Sequence, residues 1–407
     1  RGLDGAGYVA AGGSEYSWPS DQYAHRLYIN NGRGEFSNQS ERLPRVLNSG
    51  SCVISGDMDG DGDWDLFVGG RVMPGFYPQI DIRSYLLRND QGRFTDVTSA
   101  WYPALANAGM VCTAAFADCN GDNKLDLLLA GEYTPLVLLL NKGNGFENAT
   151  ASWGLDQHSG WINSLLPIDI DNDGDLDVVV GNKGRNSFIQ ATQEEPLKLY
   201  YTDLDQNGSM DMFFGKMRQG KEYTLYQLEE MARAYPGFMN KHFTTYKDIA
   251  NKDIVEIFGQ ENLERYQLAN YFDHFVAVNE GGKFRIESLP WETQAGPLYG
   301  LASLDLNADG FEDILAIGNN ASTRVQHGKD DALNGFVLWN QQESPTQWIA
   351  ENGAQCGFYV PGDGRSLLVV PGTSGPIFLA GQNDNKALSF MSPKSTHRFL
   401  RAPKNAQ

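Results

Sequence analysis

The sequence predicts an all-β fold, a seven-bladed β-propeller carrying one helical insertion, and three observations lead there. A nine-residue, carboxylate-rich loop recurs five times. A short apolar run closed by glycine follows each copy. A second element, strand, Asn/Gly turn, strand, recurs between the loops.

The loops are Asp57-Met-Asp-Gly-Asp-Gly-Asp-Trp-Asp65, Asp118-Cys-Asn-Gly-Asp-Asn-Lys-Leu-Asp126, Asp169-Ile-Asp-Asn-Asp-Gly-Asp-Leu-Asp177, Asp203-Leu-Asp-Gln-Asn-Gly-Ser-Met-Asp211 and Asp305-Leu-Asn-Ala-Asp-Gly-Phe-Glu-Asp313. Asp or Asn stands at positions 1, 3 and 5, and Asp at position 9. A tight turn folds alternate side chains toward one point, and several oxygens at one point suit a hard cation. The backbone carbonyl of position 7 adds a ligand from Asp63, Lys124, Asp175, Ser209 and Phe311. Position 6 is Gly except at Asn123, a residue that also tolerates positive φ. An all-protein oxygen cage favours calcium over magnesium, so about five Ca²⁺ sites are expected.

The continuations are Leu66-Phe-Val-Gly-Gly70, Leu127-Leu-Leu-Ala-Gly131, Val178-Val-Val-Gly-Asn182, Met212-Phe-Phe-Gly215 and Ile314-Leu-Ala-Ile-Gly318. These read as buried strands. An EF-hand would continue into a helix with Glu at position 12. Position 12 is Val68, Leu129, Val180, Phe214 or Ala316, which excludes it.

The hairpin element appears at Leu27 to Phe36, Leu86 to Phe94, Leu138 to Phe146 and Phe275 to Phe284, with Val337-Leu-Trp-Asn340 as a worn fifth copy. Loop plus hairpin makes four antiparallel strands, the unit of a propeller blade. Successive loops begin 61, 51, 34 and 102 residues apart, against roughly 40–50 for a blade. The short interval predicts a trimmed or irregular blade without an Asn/Gly hairpin, and the long one an insertion. Within the single unit 1–407, that insertion is 218–271. There Thr224 with Gln227 reads as a capping box, Pro236 as a helix stop, and Asp253 to Phe258 and Asn262 to Phe272 as two more helical patches. Leu3 to Gly13 and Cys356 to Leu379 read as worn repeats, which with the five intact ones make seven.

Composition narrows the function. With 32 basic and 51 acidic residues the formal charge is −19, which argues against nucleic acid as a partner. No apolar run spans a membrane. The chain begins at Arg1 without an initiator Met or signal peptide, so any targeting segment is expected to have been removed or to lie outside the sequence. Four cysteines leave a Cys52–Cys112 bridge or buried free thiols open and exclude a disulfide framework. The six histidines are scattered, and no zinc, nucleophile-elbow or phosphate-loop motif occurs. Loop aromatics Tyr16, Trp18, Tyr23, Phe76, Tyr77, Trp101 and Tyr102 either stack on a sugar or pack between blades.

These loops and strands resemble the FG-GAP/VCBS repeat family, whose members form β-propellers with calcium loops, as in the integrin α head. Asn48-Ser-Gly-Ser-Cys52, Gly69-Gly-Arg-Val-Met-Pro-Gly-Phe-Tyr-Pro78 and Glu194-Glu-Pro-Leu-Lys-Leu-Tyr200 further resemble the C-terminal propeller of bacterial surface proteins of the ASPIC/UnbV type, although no ASPIC/UnbV segment is present. The resemblance implies calcium ligands at Asp57, Asp59, Asp61 and Asp65; Asp118, Asn120, Asp122 and Asp126; Asp169, Asp171, Asp173 and Asp177; Asp203, Asp205, Asn207 and Asp211; and Asp305, Asn307, Asp309 and Asp313. The second and fourth loops, with three carboxylates among these, are expected to bind more weakly. It implies an extracellular or cell-surface module, a lipoprotein or other component of a Gram-negative outer-membrane surface, binding a protein or glycan partner. Two alternatives stay open: a carbohydrate-active, lyase-like propeller, and an accessory subunit docking an outer-membrane complex through the helical insertion.

Overall fold

The computed structural model describes residues 6–16, 19–46, 48–78, 82–323, 327–341 and 347–391, with the backbone of 400–401. Trp18, His397 and the start of the first worn repeat lie outside them.

The described chain is mostly β, in seven antiparallel sheets. Sheet one holds β1 (Gly7–Val9), β2 (Arg26–Asn30) and β3 (Phe36–Asn38). Sheet two holds β4 (Ser49–Gly56), β5 (Asp65–Val72), β6 (Tyr85–Asp90) and β7 (Arg93–Asp96). After the short helix α1 (Thr98–Trp101), sheet three holds β8 (Met110–Ala117), β9 (Asp126–Thr134), β10 (Val137–Asn141), β11 (Phe146–Asn148) and a short extra strand, β12 (Gly160–Trp161).

Sheet four begins with β13 (Ser164–Ile168) and β14 (Asp177–Gly181), and then the chain leaves it. It builds sheet five from β15 (Leu197–Thr202), β16 (Asp211–Arg218), β17 (Lys221–Thr224) and β18 (Tyr266–Ala269) before returning as β19 (Phe275–Asn279) and β20 (Phe284–Ser288). Sheet six is β21 (Leu298–Leu304), β22 (Asp313–Gly318), β23 (Phe336–Asn340) and β24 (Trp348–Asn352). Sheet seven is β25 (Gly364–Val370), β26 (Ile377–Gln382), β27 (Leu388–Met391) and β28 (Leu400–Arg401).

Seven sheets match the number of repeats expected, but their connection differs. The 34-residue interval is short because sheet four is interrupted after two strands. Of the two expectations it is irregular rather than trimmed: its Asn/Gly hairpin is Phe275 to Phe284, on the far side of the excursion. That excursion is wider than 218–271, since the chain leaves at Gly181 and re-enters at Phe275, carrying a whole sheet with it. Sheet five also departs from chain order, running β17-β16-β15-β18.

Its helices are α2 (Leu228–Ala234), α3 (Pro236–His242), α4 (Tyr246–Ile249) and α5 (Ile254–Phe258). The capping box of α2 is Gln227 with Glu230, not Thr224 with Gln227. Pro236 opens α3 at its first turn, where its missing N–H costs nothing. Asn262 to Phe272 is not helical over its length. Tyr266–Ala269 is β18, because pairing with β15 outweighs a helical pattern only about three turns long.

The apolar runs are continuous because both strand faces are covered. On β9, Leu127 and Leu129 pack with Phe67 and Leu86 of sheet two, while Leu128 and Ala130 pack with Val178 and Val180 of sheet four. Val179 and Val276 of sheet four then meet Ile314 and Ala316 of sheet six, and Leu315 and Ile317 meet Phe378 of sheet seven. Leu27 of sheet one packs with Leu66 and Val68. Six sheets therefore stack face to face in the order one, two, three, four, six, seven. Sheet five keeps its own core with α2, α3 and α5, through Phe213, Met231, Met239 and Phe258.

The four cysteines are free, which removes the Cys52–Cys112 bridge. Among the described residues no helix is long and apolar enough to cross a membrane.

Candidate metal centres

Each nine-residue loop joins the first two strands of its sheet and is held by its own first aspartate. Asp57 accepts from the backbone N–H of Asp61 at 3.1 Å and Gly62 at 3.0 Å; Asp118, Asp203 and Asp305 do the same for positions 5 and 6 of their loops. Position 6 takes positive φ throughout, 93° at Gly62 and 63° at Asn123. Position 4 does so too, at Asn172, Gln206 and Ala308. That second demand was missed in the sequence, because non-glycine residues fill it in three loops.

The turn brings carboxylates together. Ligand oxygens of Asp57, Asp59 and Asp61 lie within 4.8 Å of one another, as do those of Asp169, Asp171 and Asp177 and of Asp203, Asp205 and Asp211. Asp169 Oδ1, Asp171 Oδ1 and Asp205 Oδ1 are buried without a hydrogen-bond partner. Buried carboxylate oxygens facing one another without donors are costly, and a divalent cation supplies the missing charge. The donor set therefore fits the expected ion. The second and fifth loops contribute Asn120 and Asn307 at position 3, so the fifth also has three ligand carboxylates, which the expectation of weaker second and fourth loops had overlooked. In the second, Lys124 Nζ lies 3.0 Å from Asp122 Oδ2 and lowers its pKa.

Position 9 has a second role. Asp65, Asp126, Asp177 and Asp313 are buried. One oxygen of each accepts from the position-2 N–H, at Met58, Cys119, Ile170 and Leu306, at 2.9 to 3.1 Å. The other accepts from the backbone N–H of Asn89, Asn141, Asn279 or Asn340 in the third strand of the sheet, at 2.7 to 3.0 Å. Burial raises these carboxyls to about 6 at Asp65, Asp126 and Asp313 and about 7 at Asp177, against those hydrogen bonds.

The same asparagines reach across to the neighbouring sheet. Asn141 Nδ2 donates to Met58 O at 2.7 Å, Asn279 Nδ2 to Cys119 O at 2.9 Å and Asn340 Nδ2 to Ile170 O at 2.7 Å. Each link ties one sheet to position 2 of the metal loop in the sheet stacked before it. The hairpin asparagines, read in the sequence only as turn residues, thus join loop to loop.

The strand ends opposite the loops surround a cleft of about 650 Å³. Six sheets reach it, through Ser14, Arg71, Glu132, Lys183, Tyr299 and Arg365 among others. In sheet two, Gly56 pairs with Asp65 beside the metal loop, whereas Ser49 pairs with Val72 beside the cleft. About six residues of strand, roughly 20 Å, separate the two. None of the metal-loop residues lines the cleft.

The loop aromatics divide between packing and surface. Tyr23 is buried and donates to Tyr16 O at 2.8 Å, Trp101 packs on Phe146, and Tyr102 Oη accepts from Asn148 Nδ2. Phe76 and Tyr16 are exposed, and Tyr77 borders the cleft with its hydroxyl on Glu132. His274 is a satisfied core histidine, accepting from Asn182 N at 2.9 Å, and burial lowers it to about 4.

Residues 118–180 match the FG-GAP-like repeat family. That stretch holds the second and third loops and the strands between them. No curated protein matches the chain. Among solved structures, the Vibrio cholerae biofilm matrix protein Bap1 is similar at 9% identity and a TM-score of 0.29, over 95% of this chain and 87% of that one. At that score the likeness carries no argument.

Proposed function

We propose that the chain is a calcium-stabilised β-propeller of the FG-GAP type that acts outside the cell or at its surface as a binding or scaffold module for a protein or glycan. The stacked sheets act as its blades, with sheet five a nested excursion, and 218–271 supplies an additional partner surface. Calcium in this reading is structural. The observation that carries it is the orphaned oxygens of Asp169, Asp171 and Asp205, buried carboxylate oxygens that no donor satisfies. Extracellular sites of this kind bind at roughly 10⁻⁴–10⁻³ M, which matches calcium outside cells.

The separation of loops and cleft weighs against a lyase in which a loop calcium holds a substrate carboxylate. Calcium titration of the chelator-stripped protein tests the proposal. About five bound ions per chain, one per loop, is the expected result; none, or preference for magnesium, overturns it.

A further inference from the structure

We propose that the cleft binds the carboxylate end of an acidic saccharide, a uronate. This rests on reading the chain as a binding module and names the ligand class of a site distinct from the metal loops.

Three cations reach the cleft, and their pairing decides what a ligand meets. Lys183 is paired with Asp330, and both are buried, so that pair presents little charge. Arg71 is different. Its Nε lies 2.9 Å from Glu132 Oε1, yet the Arg71 side chain is 49% exposed and that of Glu132 only 12%. Glu132 is further occupied by the Tyr77 hydroxyl at 2.7 Å. Arg365 repeats the arrangement on sheet seven: 31% exposed, against 12% for Asp363 at 3.5 Å. Asp363 is withdrawn further by the Ala321 N–H, which donates to both its oxygens. In both pairs the guanidinium is the more exposed partner; Glu132 lines the cleft beside Arg71, and Arg365 also donates Nη1 to Asn319 O at 3.2 Å.

Arg365 lies over the Tyr299 ring, 4.0 Å from its centroid. The charges of Arg365 and Arg71 both act on the Tyr299 hydroxyl, which burial raises. A guanidinium of sheet seven thus lies on a tyrosine of sheet six, and Arg71 of sheet two lines the same cleft. Forked donors around one point suit a carboxylate. The rest of the lining is what a sugar ring meets: Ser14, Ser51, Asn163 and Asn320 as hydrogen-bonding groups and Trp161 as an aromatic surface. The volume is in the range that holds one or two sugar rings.

Isothermal titration of the calcium-loaded chain tests this with three probes: a glucuronate-terminated disaccharide, its neutral glucose counterpart, and a disaccharide with a sulfate ester in place of the carboxylate. The uronate is expected to bind at least about tenfold more tightly than either other probe. Arg71→Gln and Arg365→Gln are each expected to weaken it at least about tenfold, and Arg88→Gln, on the loop side, to leave it unchanged. Arg365→Lys keeps the charge without the fork and covers the case in which Arg365→Gln melts below the parent; it is expected to lose most of the same affinity. Equal binding of the neutral or sulfated sugar, no binding at millimolar uronate, or an equal loss in Arg88→Gln overturns the assignment. Failure with calcium-dependent stability intact removes the uronate and leaves the metal reading standing.

Discussion

The third and fourth metal loops, Asp169 to Asp177 and Asp203 to Asp211, share a motif but not a setting. Asp177 is 1% exposed and accepts from both Ile170 and Asn279. Asp211 is only half-buried, and Leu204 is its one backbone donor among the described residues. The cause is register. In sheet four, β19 pairs with β14 next to the loop, Val178 with Ala277, which places Asn279 on Asp177. In sheet five, β17 pairs with β16 over Gly215 to Arg218, at the end away from the loop. Nine residues encode the loop; the second anchor of its ninth residue comes from the third strand of the same sheet.

Removing Asp177 and Asp211 in turn separates the two settings. In calcium, Asp177→Ala orphans two buried N–H donors and is expected to cost about 2–5 kcal/mol, whereas Asp211→Ala orphans one, partly hydrated, at about 1 kcal/mol. Urea denaturation measures both, and equal losses would show that the third strand adds nothing. A smaller effect sharpens the same point. Asn279→Leu keeps the backbone donor to Asp177 but loses the side-chain bond to Cys119 O, at about 1–2 kcal/mol. Calcium affinity should then fall at the second loop, 118–126, where no ligand has changed. Titration against Asp118→Ala and Asp169→Ala backgrounds assigns the loss, and a loss confined to the third loop contradicts the link.

Much of this was legible in the sequence, and for identifiable reasons. The carboxylate loops and apolar strands are local patterns, so all five loops and the strands after them were readable at the right residues. Seven repeats likewise corresponded to seven sheets. The nesting of sheet five was not readable, because a loop motif does not say which strand its own strand will pair with. Only the unequal intervals hinted at it. Asn262 to Phe272 failed for the same reason, since its fate depends on pairing with β15 far away in sequence. The bonds of Asn141, Asn279 and Asn340 to other sheets were hidden behind their local role as hairpin residues. The cleft arginines carried no motif at all: Arg71 and Arg365 lie almost 300 residues apart and meet only because six sheets bring their strand ends together.

Cations hold these loops in the folded state, and melting temperatures in calcium and in chelator measure by how much. Burial places Asp65, Asp126, Asp313 and Asp177 above the ordinary 3.8, at about 6 to 7. Without a cation these groups therefore cost stability progressively as pH rises from about 3.8 through 6 to 7, and at pH 5.5 they are largely protonated in the folded state. Five sites at millimolar calcium contribute several kcal/mol, so chelation at pH 7.5 is expected to lower the melting temperature by about 10 °C. The same pair of melts at pH 5.5 should differ by less, because protons replace the ion. A melting temperature at pH 7.5 that chelation does not move would contradict the account.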